Sequence, residues 1–305
     1  MINESFHIPV LTEEVIHYLL HKKNGNYLDA TSGFRGHSAS ILEQLVGGSL
    51  ISTDQDPEAI SYLKSKFKSE ERLSIHQARF SELDKLLITN YFDGILADIG
   101  VSSYQLNTAK RGFSFMKEGP LDMRMNQNIG EDASSWLSNA SEKEISNILW
   151  KYGEERKAKR IAKAIFEARK NLKIKSTKEL AEIILEEVPR RFNDKKHPAT
   201  KTFQAIRIFI NNEIEELKLL LDFTSKHLKI GGRACIISFH SLEDRMVKKF
   251  FRDHSRRDPR LSKLPNLVDD SSFKLVSRAI KPRDHEININ PRSRSAKLRV
   301  IERVR

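Results

Sequence analysis

The chain has 305 residues, 53 Lys/Arg against 41 Asp/Glu, 39% hydrophobic residues and a single cysteine. These proportions exclude a disordered chain and an internal disulfide, and no apolar run approaches the roughly 20 residues of a membrane-spanning helix. The net charge of +12 points to a polyanionic partner, nucleic acid before membrane, because the basic residues form no obvious amphipathic helix. From Arg245 to Arg305 there are 18 Lys/Arg against 7 Asp/Glu, so +11 of the excess falls in the last fifth of the chain. The first ten residues lack a basic stretch followed by an apolar core, and with one thiol a reducing cytoplasm is expected.

Taken in chain order, short apolar runs alternate with helix-like stretches. Asn26–Asp29, Ser49–Asp54, Leu73–His76, Asp93–Asp98 and Arg233–Ser238 read as strands buried on both faces, hence a mostly parallel sheet flanked by helices in an α/β fold. Ligands of such sheets bind at the carboxyl ends of the strands, so Asp29, Asp54 and Asp98 are expected to face one crevice. More than 100 residues separate the fourth and fifth runs, too many for an ordinary βα connection. The expected organisation is a first part of one domain at 1–107, an inserted helical domain at 108–211, and the second part at 212–305.

Within the insertion, Ser141 with Glu144 and Ser176 with Glu179 make capping boxes ahead of helical apolar periodicity, and Gly153 is placed to end the first of these helices. The stripe Phe203, Ile206, Ile210, Ile214, Leu217, Leu221 runs toward Gly231-Gly232, which should return the chain to the sheet. Phe273–Ile280 and Lys297–Val304 read as an edge hairpin joined by a Pro-containing loop.

Chemistry concentrates at three places. Asp29-Ala-Thr-Ser-Gly33-Phe-Arg-Gly36-His-Ser38 follows the first strand, and Asp54 ends the next one 21 residues after Gly33. Strand, glycine turn, helix and a following carboxylate make a nucleotide-type pocket, the acid accepting ribose hydroxyls. The loop is not Gly-x-Gly-x-x-Gly, so an adenosyl ligand without phosphates fits better than a dinucleotide. Asp98, followed by Ile-Gly-Val-Ser102-Ser-Tyr-Gln105, either accepts from an amine or caps the next turn. The loops Arg111–Phe115 and Gly119–Met125 either pack on the core or close over a site. His240, Glu243 and Asp244 read as a hydrogen-bonded turn and not a metal centre, His197 as a cap-region residue, and Asn290–Arg299 as a phosphate-binding or solvated basic hairpin.

His7–Val10, Asp29–Ser38, Asp93–Ser103, Arg111–Phe115, Gly119–Met125, Tyr152–Arg156, His197–Arg207, Ile237–Arg245 and Asn290–Arg299 together resemble the bacterial 16S ribosomal RNA (cytosine-N4) methyltransferase family, RsmH, formerly MraW. The resemblance implies a class I S-adenosylmethionine-dependent methyltransferase, Rossmann-like, with an inserted helical substrate-recognition domain. It implies methylation of the exocyclic amine of one cytosine in the decoding region, with 16S rRNA in the small ribosomal subunit as partner and no membrane. Carried over residue by residue, it places the cofactor S-adenosyl-L-methionine on Gly33, Arg35, Gly36, His37, Asp54, Phe80, Asp98 and Gln105, with Asp98 also catalytic, and no metal. The family usually has Gly-Gly-His where this chain has Arg35-Gly36-His37, which puts the loop's geometry in question.

The basic hairpin residues Arg292, Arg294, Lys297 and Arg299 are the expected RNA contacts. Phe113, Phe115 and Phe239 are candidates for stacking the target base, since the chain has Ile99-Gly-Val-Ser102 where DNA amine methyltransferases carry Pro-Pro-Tyr. The oligomeric state is left open, a homodimer included. An NAD-dependent oxidoreductase using the same crevice and a non-enzymatic ribosome-binding factor are the competing readings; the converging acidic strand ends argue against the latter.

Overall fold

Five strands pair in parallel, and two antiparallel strands complete a seven-stranded sheet. The structure is a computed structural model, and it describes residues 9–34, 36–89, 91–190, 192, 196–255 and 271–305. The first half of the sheet runs α1 (Thr12–Leu19), β1 (Asn26–Asp29), α2 (Gly36–Gln44), β2 (Ser49–Asp54), α3 (Pro57–Lys66), β3 (Leu73–Gln77), α4 (Leu83–Leu86) and β4 (Phe92–Asp98). Helices α5 (Ser103–Asn107), α6 (Ala133–Asn139), α7 (Glu142–Gly153), α8 (Ala158–Asn171), α9 (Thr177–Glu187) and α10 (Ala199–Ile210) follow. The chain then returns through α11 (Glu213–His227), β5 (Leu228–Ser238), α12 (Ser241–His254), β6 (Phe273–Leu275), α13 (Asp284–Ile289) and β7 (Lys297–Arg303). Continuous burial from Phe92 to Ala97 explains the unbroken apolar character of β4, a central strand covered on both faces.

The chain divides into two compact units, Met1–Gly100 with Ile214–Arg305, and Val101–Glu213. The first boundary falls at 100/101 and not 107/108, because Val101 and Leu106 pack against the insertion's own core; the second falls at 213/214 and not 211/212. That core contains Leu137, Ile145, Leu149, Ile161, Ile165, Leu180, Ile184, Phe203 and Ile206, each of whose burial contributes roughly 1.5–3 kcal/mol. The stripe from Phe203 to Leu221 is two helices. Asn212, at φ 52°, breaks it, so Phe203 and Ile206 enter the insertion core while Leu217 and Leu221 enter the core of the sheet unit.

Three expectations need correction. Gly153 does not terminate α7 from outside; it is its last residue, and Glu154 takes the left-handed conformation (φ 48°). A side chain at 153 would place Cβ 2.7 Å from the Lys201 carbonyl of α10, so close helix approach is what requires glycine there. Gly231-Gly232 lies inside β5, where the register of β4 against β5 shifts between Phe92 and Gly94. The edge hairpin is reduced to β6 at Phe273–Leu275, with Ile280 bridging Leu298 alone and α13 within the connection.

Candidate active site

The carboxyl ends of β1, β2, β3 and β4 bring together Gly33, Gly36, His37, Asp54, Phe80 and Asp98, all within the first unit. The loop after β1 is built from within. Asp29 is fully buried and accepts from the Thr31 N–H at 3.1 Å and the Ser38 hydroxyl at 2.6 Å, and Ser38 also meets the Ser52 hydroxyl at 2.9 Å. Asp29 therefore braces the loop and does not face a crevice with the other two acids. Burial raises its carboxyl above the ordinary value, an effect the Ser38 bond only partly offsets.

Asp54 closes the loop from the neighbouring strand. Its Oδ2 accepts the Gly33 N–H and its Oδ1 the Asp56 N–H, each at 2.8 Å. Asp56 in turn caps α3 by accepting from Glu58 N–H at 3.0 Å. Gly33 sits at φ +50° with no atom closer than 3.9 Å to where a Cβ would be, so backbone conformation and not crowding favours glycine. Burial pushes the Asp54 carboxyl up to about 6, against the lowering influence of its two backbone N–H donors.

At the end of β4, the Asp98 N–H donates to Thr31 Oγ1 at 2.6 Å, joining this strand to the same loop. Asp98 Oδ2 lies 3.4 Å from His37 Nε2, an ion-pair distance without hydrogen-bond geometry. Asp98 Oδ1 and both ring nitrogens of His37 are buried without a hydrogen-bond partner. Burial of His37 opposes its protonation, but the carboxylates of Asp98, Asp29 and Glu286 outweigh this and raise its pKa. Gly36 opens α2, and a Cβ there would come 2.9 Å from Pro9 Cβ. Arg35 lies outside the described residues.

Phe80 begins a 3-10 turn after β3, tied to the site because Ala78 N–H donates to the Asp54 carbonyl at 3.0 Å. Glu216 anchors that turn through Ser81 N–H at 2.9 Å, Ser81 Oγ at 3.0 Å and Arg79 at 3.0 Å. Gln105 belongs to the second unit, where its Oε1 accepts from Ser102 N–H at 3.0 Å and its own N–H donates to Ser102 Oγ at 3.1 Å. The cap of α5 is thus Ser102.

The remaining polar motifs are mostly structural. His240 caps α12, with Glu243 Oε2 accepting from Phe239 N–H at 2.9 Å and His240 N–H at 3.2 Å. Lys297 Nζ at 2.7 Å and Arg299 Nε at 2.8 Å both clamp Asp244, whose carboxyl burial would raise but whose two cations hold low. Of the four basic hairpin residues only Arg292 and Arg294 are exposed, in a 3-10 turn before β7. His197 Nδ1 accepts from Ala199 N–H at 3.1 Å, in the cap region of α10. Phe113 and the Met123–Met125 loop pack in the insertion core, with Met123 and Met125 bound through Asn211, while Phe115 stacks edge-on against Phe203 at 4.9 Å. Phe239 is half-buried beyond β5. Thr31 and Ser38 are further site residues that the motif does not assign; their signal is a hydroxyl on either side of the two glycines.

The sheet order 3-2-1-4-5-7-6 with its antiparallel β7, the glycine turn after β1 and the acidic end of β2 bonded to that turn define a class I, S-adenosylmethionine-dependent methyltransferase. The chain matches the MraW methylase family over residues 4–304 and belongs to that family. It is 47% identical over 300 residues to the ribosomal RNA small subunit methyltransferase H of Xanthomonas oryzae pv. oryzae, covering 98% of this chain and 89% of that one. It is also 47% identical over 305 residues to the protein of the same name from Coxiella burnetii, covering 98% and 99%. Among solved structures, an rRNA methylase from Streptococcus thermophilus aligns over 100% of this chain and 99% of its own, at 10% identity and a TM-score of 0.40.

Proposed function

We propose that this protein methylates the exocyclic N4 amine of a cytosine in the decoding region of 16S rRNA, acting on the small ribosomal subunit in the cytoplasm. The observation that carries the reading is the pair of strand-end carboxylates, Asp54 and Asp98, tied through Gly33 and Thr31 to one glycine loop. The residues fit the donor. Asp98 Oδ1 and the His37 nitrogens are buried polar atoms without partners, the kind a bound polar ligand satisfies, and Asp54 presents a carboxylate suited to a ribose diol. S-adenosylmethionine supplies an electrophilic methyl group on a sulfonium.

Gly33, Gly36, His37, Asp54, Phe80 and Asp98 hold the donor in this reading. Asp98 accepts an N–H of the target amine, which draws the nitrogen lone pair out of conjugation and orients it for attack. With the donor bound, an N–C bond would form at the expense of the donor's C–S bond, a neutral sulfide would leave, and the amine's proton would pass to water. A covalent route through a thiol is disfavoured: Cys235 is fully buried in β5 and burial drives its thiol far above the ordinary range. The inserted unit, Val101–Glu213, serves as the substrate-recognition domain, and Arg292 and Arg294 contact phosphates.

The test is mass mapping of methylated nucleosides in 16S rRNA from cells with and without the gene. Loss of one N4-methylcytidine is expected. An unchanged nucleoside map overturns the reading.

A further inference from the structure

Residues 156–178 of the inserted unit contain ten Lys/Arg and one acidic residue, more net positive charge than the four Lys/Arg of the hairpin 290–299. The segment is organised by α8. Its buried side is apolar, Ala158, Ile161, Ala162 and Ile165, which fixes the orientation of the opposite side. On that opposite side Lys159, Lys163 and Lys170 are exposed, and with half-buried Phe166 they follow i, i+4, i+7, i+11 spacing, one face of a helix. At 1.5 Å per residue the three ammonium groups are spread over about 16 Å. Arg169 and Lys170 hold their cations 4.4 and 5.3 Å from the Phe166 ring.

Most of this charge is not neutralised within the protein. Lys170 pairs with Glu167 and Arg160 with Glu187, but Arg156, Lys159, Lys163 and Lys173 enter no ion pair among the described residues. The helix start is also electrostatically unfavourable by itself: Lys157 occupies the N-cap without a side-chain cap, no acid stands in the first turn, and Lys159 and Arg160 stand against the positive end of the dipole. Such an arrangement is relieved by a polyanion laid along it.

We propose that the exposed face of α8, with Lys159 and Lys163 at its centre, is an RNA phosphate-binding surface that anchors the ribosomal substrate. The proposal rests on the rRNA methyltransferase reading and adds to it the surface of the insertion that holds the substrate. Phosphate contacts position without reading sequence, so this face contributes affinity and register, and the choice of cytosine lies elsewhere.

The double variant Lys159→Glu/Lys163→Glu tests this in the full chain against purified small subunits and against deproteinised 16S rRNA. Expected are at least tenfold weaker binding to both, and a slope of log affinity against log salt shallower by about 1.5 or more, since each lost phosphate contact removes roughly 0.7–0.9. S-adenosylmethionine affinity by calorimetry and melting temperature should match wild type. Lys64→Glu/Lys66→Glu, which makes the same charge change on exposed positions of α3, should leave the slope unaltered. Wild-type affinity and slope in the α8 variant overturn the proposal. So does weaker binding to subunits alone with naked RNA unaffected, which assigns the face to a ribosomal protein. If the wild-type enzyme neither binds nor methylates the subunit, the functional reading itself fails, and that outcome is distinguished by the wild-type arm.

Discussion

The backbone N–H of Gly33 donates to Asp54 Oδ2 at 2.8 Å, so the loop that follows one strand is fastened to the acidic end of its neighbour. The carboxylate thereby does two things at once. It fixes the loop's left-handed turn at Gly33, and through its other oxygen it holds the Asp56 N–H at the start of α3; in the proposed function it is also the acceptor for a ribose diol.

Replacing that carboxylate removes both roles. Asp54→Ala should weaken S-adenosylmethionine binding by about 1.5–3 kcal/mol, roughly 10- to 150-fold, because a charged acceptor is lost. Isothermal calorimetry reads the change, and an unaltered dissociation constant removes the ribose assignment.

Asp54 also makes cofactor binding pH-dependent. With its carboxyl pushed up to about 6, the ionised acceptor is depleted below that pH, and affinity should fall roughly tenfold from pH 7 to pH 5. The cofactor-free protein behaves in the opposite sense. A folded-state pKa raised above the unfolded value contributes stability that is present at low pH and lost as pH rises through about 6. The melting temperature of wild type relative to Asp54→Asn should therefore decline between pH 5 and pH 7, and a constant difference contradicts the assignment.

Asp98→Ala should reduce single-turnover methyl transfer by about 100-fold while moving the melting temperature by only a few degrees. The strand is joined to the loop through the Asp98 backbone N–H, which the substitution retains, and among the described residues the side chain's ion-pair neighbour is His37. A variant that melts early but turns over normally reverses the interpretation and makes Asp98 a structural residue.

The C-terminal basic residues should divide into two classes. Asp244→Ala leaves Lys297 and Arg299, both partly buried, without their carboxylate and should destabilise by about 1–3 kcal/mol in denaturant titration. Arg292→Glu/Arg294→Glu, at exposed positions, should cost less stability than that and should weaken subunit binding with a shallower salt dependence. Equal loss of stability in both variants would show that all four residues are structural.

Gly153→Ala should destabilise the protein by about 1–3 kcal/mol, since its methyl would stand 2.7 Å from the Lys201 carbonyl. Chemical denaturation is the measurement. A neutral result would mean that α7 and α10 separate without cost.

How much was legible depends on the range of the interaction concerned. Ser141 and Ser176 announce their helices because a capping box is closed within four residues, and both are found as expected. Four of the parallel strands, β1, β2, β4 and β5, are visible as apolar runs because they are covered by neighbours, whereas β3, expected to be buried on both faces, is an edge strand with no fully buried residue. The role of Gly153 was misread because the reason for glycine there lies 48 residues away, at the Lys201 carbonyl. Lys297 and Arg299 looked like free cations for the same reason: their partner, Asp244, is more than 50 residues distant. The basic run of 156–178 is plain in the residue counts, but only the apolar side of α8 determines which lysines face outward.

By itself the sequence determined the class of the fold, the glycine loop and the acid 21 residues beyond it, because these follow from periodicity and short spacing along the chain. Tertiary structure decided which carboxylates stay available. Asp29 is turned inward onto Ser38, whereas Asp98 keeps a buried oxygen without a hydrogen-bond partner. All three occupy the same position in the sequence pattern, the acidic end of a buried strand. They differ because what a side chain meets at a strand end is set by the neighbouring strands and helices packed around it, and those contacts come from distant parts of the chain.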